Sequence, residues 1–143
     1  MNDVIKLKKV PEPIPYRSGE RFIGGWNTAA VAKWLINKKF EKQFTGLSAV
    51  ASSAYGRDSA ANRQSVKRNI GSLRRYMATH DEFLIVRYGH RHRVEAIKVC
   101  DSSEVEDRQV AEEQLITLEA KGEVTFAEAK RWRKMLYLPT PTD

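Results

Sequence analysis

From Ala60 to Thr79 the chain runs without a single carboxylate, while Val66, Ile70, Leu73 and Met77 recur at helical spacing. At about 100° per residue these four side chains fall within roughly 60° of arc. A seam so narrow and continuous marks the buried face of an amphipathic helix. Asp58 or Ser59 is placed to cap it. Arg63, Gln64, Lys67, Arg68, Arg74 and Arg75 then occupy the opposite and flanking surface, with Gly71 near the middle. Like charges on one helix face cost a few tenths of a kcal/mol per close pair, and no acid at i±4 relieves them. Such a segment calls for a core beneath it and an anion above it.

The charge of the whole chain agrees. The net charge is +7 and the pI is about 9.6, values that favour a polyanionic partner but say nothing of fold. Residues 1–99 hold 19 Lys/Arg against 8 Asp/Glu, whereas residues 100–143 hold 6 against 10. The cationic surface is therefore localised, with an acidic segment after it. At 143 residues, 41% hydrophobic and 30% charged, the chain suits one domain or one domain with a small appendage. No apolar run approaches the roughly 20 residues of a membrane span. The N-terminus has no apolar stretch followed by a cleavage site, so no secretory leader is expected. The single cysteine, Cys100, excludes an internal disulfide framework and suits a reducing, cytoplasmic setting. It reads as an inert thiol closing a strand.

Other segments read in turn. Residues 1–27 form an extended arm in which Pro11, Pro13 and Pro15 discourage helix, with Lys6, Lys8 and Lys9 in reach of phosphates or simply solvated. Thr28 is expected to cap a helix from Ala29 to about Lys39, a face that Phe40 and Phe44 extend. Thr45-Gly46 interrupts it. Leu47, Val50, Ala51 and Ala54 place a short helix over 47–54, and Tyr55-Gly56-Arg57-Asp58 is a tight turn. After the helix 60–79, the β-branched and aromatic runs Phe83–Tyr88 and Val94–Val99 flank Gly89-His90-Arg91-His92 and predict a β-hairpin. Ser103-x-x-Glu106 has the pattern of a capping box opening a helix to about Ala120, with Lys121-Gly122 as its stop. Thr125-x-x-Glu128 repeats that pattern for a helix from Phe126 to about Tyr137, before Pro139 and Pro141. The expected class is mainly α with a small β-hairpin, α+β.

The order helix, helix, tight turn, longer helix, hairpin over Thr28–Val99 resembles the winged helix-turn-helix superfamily. That resemblance divides the chain into an arm (1–27), a winged domain (28–100) and a C-terminal helical hairpin (101–143). It implies that the helix 60–79 enters the major groove of duplex DNA, where Asn62, Arg63, Gln64, Lys67 and Arg68 reach base edges. Arg and Lys pair with guanine O6/N7, and Asn and Gln with adenine N6/N7. Arg57, Arg74 and Arg75 would meet phosphates, and Gly71 would permit close approach of the backbone. Arg87, His90, Arg91, His92 and Arg93 would form a cationic wing, where arginine exploits the potential of a narrow minor groove. The function implied is that of a sequence-specific DNA-binding protein, a transcriptional regulator. A replication or recombination accessory factor, and a protein-docking module or inhibitor on the same fold, are the competing readings. An RNA-binding role finds no aromatic sheet face of the kind such domains use.

Catalysis has no constellation here. Gly24-Gly25 lacks the strand-loop-helix setting of a nucleotide site, Cys100 has no histidine partner, and the acids Glu104, Glu106, Asp107, Glu112, Glu113 and Glu119 spread around one helix. Two His at i and i+2, His90 and His92, would point the same way from a strand but supply too few ligands for a metal. No enzyme activity, cofactor or metal is therefore expected. Near phosphate these imidazoles would favour the charged form. In the C-terminal pair, Ala111, Leu115 and Leu118 form one apolar stripe, and Phe126, Ala129, Trp132 and Leu136 another. Two helices alone bury little. Packing on the preceding domain and pairing with a second copy through residues 103–138 both remain open. Lys130, Arg131, Arg133 and Lys134 read as a solvated face, with added phosphate contacts as the alternative, and the acidic helix as a surface for a protein partner.

Overall fold

The computed structural model describes residues 26–139, so most of the arm, with Lys6, Lys8, Lys9 and the three alternating prolines, lies outside the described residues. The elements are α1 (Thr28–Asn37), β1 (Thr45–Gly46), α2 (Leu47–Tyr55), α3 (Ala60–Arg68), α4 (Ile70–Ala78), β2 (Leu84–Tyr88), β3 (Val94–Val99), α5 (Val105–Ala120) and α6 (Phe126–Met135). The class is α+β: mainly helical, with a small antiparallel sheet of order β1-β3-β2. No helix among the described residues is long and apolar enough to cross a membrane.

Three features of the opening differ from the sequence reading. Asn27, not Thr28, caps α1, its side chain accepting from the Ala30 N–H at 3.1 Å. Thr45-Gly46 is a strand and not merely a break: Thr45 lies opposite Ile97 and Gly46 opposite Ala96. Two residues are too few for any alternation to show. Phe40 does not extend the α1 face, being 71% exposed. It sits within a 3-10 turn at Lys38–Glu41, after which a left-handed Lys42 redirects the chain, and Phe44 lies beneath Arg87 and Lys98.

The tight turn is as expected, with Gly56 at φ 85° closing α2. The long basic helix is divided. At Asn69 the backbone leaves helical geometry (φ −102°, ψ 7°), and the Asn69 amide donates to the Ser65 carbonyl at 2.7 Å. Asn competes for backbone partners in this way, and Gly71 two residues on weakens the helix further. The seam survives the kink: Val66, Leu73 and Met77 are fully buried and Ile70 nearly so.

β2 carries two cores at once. Leu84 and Val86 join Ile97, Val99 and the buried faces of α1–α4. Phe83 and Ile85 point the other way, meeting Cys100 and the apolar stripes of α5 and α6. This double burial is why residues 83–86 read as one continuous apolar run. Phe83 and Trp132 meet edge-on at 5.2 Å. The C-terminal helices thus pack in cis on the back of the sheet. A buried ion pair reinforces the junction, Lys98 Nζ to Asp107 Oδ1 at 2.9 Å, while Asp107 also accepts from the Asp101 N–H.

The two capping patterns part company. Thr125 and Glu128 form the full reciprocal box of α6. Ser103 does not cap α5; its N–H and hydroxyl both donate to Asp101 Oδ1, and α5 starts at Val105 after Glu104. The Asp two residues earlier offers Ser103 a nearer acceptor than a helix amide. α6 also stops at Met135, short of the expected Tyr137, which is left-handed at φ 61°.

Candidate nucleic-acid interface

The first turns of α3 border a surface groove of about 420 Å³. Arg63, Gln64 and Lys67 line one wall, Gly46 and Ser48 at the start of α2 another, and Val94 and Glu95 of β3 the third. Sequence-adjacent to Val94, the hairpin tip carries Arg91 and Arg93, both exposed. α3 and β3 therefore border one groove through Val94 and Glu95, while Arg91 and Arg93 are not among its lining residues. The strand β1 is what brings them together, since its pairing with β3 sets the α2 N-terminus against the hairpin.

Within α3 the side chains divide by what already holds them. The Asn62 amide donates to the Arg57 carbonyl at 3.0 Å, tying the turn to the helix, and its N–H is capped by Ser59 Oγ. Arg63 pairs with Asp58 at 2.6 Å, and Arg68 donates to Ser65 Oγ at 2.9 Å. Gln64 is exposed and Lys67 half-buried at the groove wall, and among the described residues Lys67 makes no ion pair. Arg57 is exposed on the turn. The helix is thus less starved of counter-charge than its acid-free sequence suggested, because Asp58 reaches it from the preceding turn.

Arg74 and Arg75 lie beyond the kink, where α4 meets the C-terminal helices. Arg74 does not present itself to phosphate. Its guanidinium donates from Nε to the Leu84 carbonyl and from Nη2 to Gln114 Oε1, and it stands over the Phe83 ring at 5.9 Å. Burial lowers its pKa. Arg75 is exposed but shares a cleft with Leu118, Glu123, Val124, Glu128 and Trp132. Gly71 is exposed beside it, and a Cβ there would come only within 3.7 Å of the Arg75 guanidinium. Arg74 is thereby withdrawn from the cationic surface of this helix, while Arg75 stays exposed on α4.

In the hairpin, Arg87 pairs across the strands with Glu95 at 3.3 Å and covers Phe44. His90 to His92 form a 3-10 turn with Arg91 and His92 in left-handed backbone. His92 consequently stacks flat on Tyr88, centroids 4.1 Å apart and planes 4° apart, and does not share the direction that strand geometry would give it with His90. His90 is exposed. Glu95 is an acid within the basic surface that the sequence pattern does not flag; the register pairs Arg87 with Ala96 and Tyr88 with Val94, so Glu95 is the extra residue of the bulge, beside Arg87. Cys100 is buried, and burial pushes its thiol up to about 12, which leaves no thiolate for nucleophilic chemistry at neutral pH.

Comparison with protein families, curated proteins and solved structures finds no match for this chain.

Proposed function

We propose that this chain binds duplex DNA as a winged helix-turn-helix protein, with α3 in the major groove and the β2–β3 hairpin as the wing. The observation that carries this reading is the groove in which Arg63, Gln64 and Lys67 stand beside the hairpin strand. The arrangement helix, strand, helix, helix, helix, strand, strand with sheet order β1-β3-β2 supports it, since that order sets a hairpin after three short helices. Phosphate contacts from Arg57, Lys67, Arg91 and Arg93 supply affinity, and Gln64 with Lys67 at the groove reads base edges. Asn62, Arg63 and Arg68 contribute through the geometry they stabilise and, for the two arginines, by charge. The use that fits is sequence-specific regulation of transcription, without cofactor or catalysis.

The test is paired alanine substitution in the two elements. Gln64→Ala/Lys67→Ala and Arg91→Ala/Arg93→Ala should each weaken binding to duplex DNA, with unchanged thermal stability. The first pair should also flatten the sequence preference recovered from a random duplex pool. If neither pair changes affinity, the surface has another use and a protein-docking role takes its place.

A further inference from the structure

Two exposed surfaces on the C-terminal helices are left over once their apolar stripes have been buried in cis. On α5, Ile116 stands 52% exposed, and Glu112 and Glu113, one helical turn before it, flank it with carboxylates. On α6, Ala127, Lys130, Lys134, Tyr137 and Leu138 border a shallow groove of about 580 Å³ whose surface is mostly apolar. Tyr137 is 74% exposed there. One surface is thus an aliphatic knob bracketed by carboxylates, and the other an apolar trough bracketed by ammonium groups. Among the described residues, Lys130, Lys134, Glu112 and Glu113 make no ion pair, in contrast to Arg131, held by Asp81, and Arg133, held by Glu119.

We infer that copies of this chain associate head to tail, Ile116 of one seating in the Tyr137–Leu138 trough of the next, with Glu112 and Glu113 against Lys130 and Lys134. Charge complementarity points to a second copy as the occupant: carboxylates stand beside the apolar centre on one face and ammonium groups beside it on the other, so electrostatics fix register and the centre supplies the contact. The two faces differ, so the contact is heterologous and propagates unless its rotation closes a ring. It uses no residue of α3, and it approaches the hairpin only where Glu113 borders a pocket with Tyr88 and His92.

Sedimentation velocity without DNA, over a concentration series at low salt, reads this directly. The wild-type chain should show a mass rising with concentration and falling back with added salt. Lys130→Glu/Lys134→Glu and Glu112→Lys/Glu113→Lys should each weaken self-association by about tenfold or more. An equimolar mixture of the two should recover it, because the first variant keeps the wild-type α5 face and the second the wild-type α6 face. Ile116→Asp provides a variant at an exposed position that should also abolish association. Circular dichroism of each variant checks the fold. A wild-type chain that stays monomeric throughout, association unaffected by the reversals, or a mixture that stays monomeric would each overturn the inference. So would reversal of Lys130 and Lys134 that lowers duplex affinity alone. Failure of DNA binding would leave these outcomes untouched.

Discussion

The side-chain amide of Gln114 brackets Val86: its Oε1 accepts from the Val86 N–H at 3.0 Å and its Nε2 donates to the Val86 carbonyl. A side chain on α5 thereby takes the place of a neighbouring strand on the open edge of β2, where Arg74 covers the Leu84 carbonyl. Unpaired strand edges recruit other chains, so this contact protects as well as stabilises. Gln114→Leu should cost about 1–3 kcal/mol, because it leaves two backbone groups without partners. Urea unfolding measures the loss, and light scattering should detect aggregation on warming before the wild type shows any.

Arg74 and Lys67 should separate stability from binding. Arg74→Ala removes the contacts to Leu84, Gln114 and Phe83, and should lower the midpoint of denaturation while leaving the affinity of the folded protein for duplex DNA little changed. Lys67→Ala should do the reverse. Measuring both properties for both variants checks the assignment, and loss of DNA affinity without loss of stability in Arg74→Ala would return that residue to the interface.

The buried junction between the sheet and the C-terminal helices predicts large penalties. Trp132→Ala removes the partner of Phe83 and should destabilise by about 3–5 kcal/mol. Asp107→Ala leaves Lys98 charged and nearly inaccessible, with a cost of about 3–5 kcal/mol. A chain ending after Cys100 should not fold cooperatively, since Phe83, Ile85 and Cys100 would lose their cover. Calorimetry of these forms measures each effect.

Acid sensitivity should arise in part at Asp101. The hydroxyl and N–H of Ser103 both donate to its carboxylate and hold its pKa below the ordinary 3.8. A lowered carboxylate pKa contributes stability above the unfolded value, and that contribution is lost as pH falls through the folded one. The loss should therefore appear below pH 3.8, and Asp101→Asn should remove it. Denaturant midpoints across an acid series, wild type against variant, show the difference.

Much of this architecture was written in local patterns. The seam Val66/Ile70/Leu73/Met77, the Gly56 turn, the hairpin and the Thr125–Glu128 box depend on neighbours within a turn or two, and the sequence carries them plainly. What escaped depended on distant partners. Thr45-Gly46 is a strand only because β3 is beside it. Arg74 belongs to the interior because Leu84 and Gln114, ten and forty residues away, receive it. Arg63 and Arg87 are paired because Asp58 and Glu95 lie outside the i±4 window in which a helix is searched for counter-charge. Of the candidate site, the residue types were legible, but which side chains remain available for a ligand was not.

A salt series reads out whether α3 and the hairpin together bind duplex DNA. Fluorescence anisotropy with a labelled random duplex should give a log affinity that falls linearly with log salt, at about 0.9 per phosphate contacted. Lys67→Ala and Arg91→Ala/Arg93→Ala should each make that slope shallower, by about one contact per residue removed. A slope near zero, or one that these substitutions leave unchanged, would contradict the account.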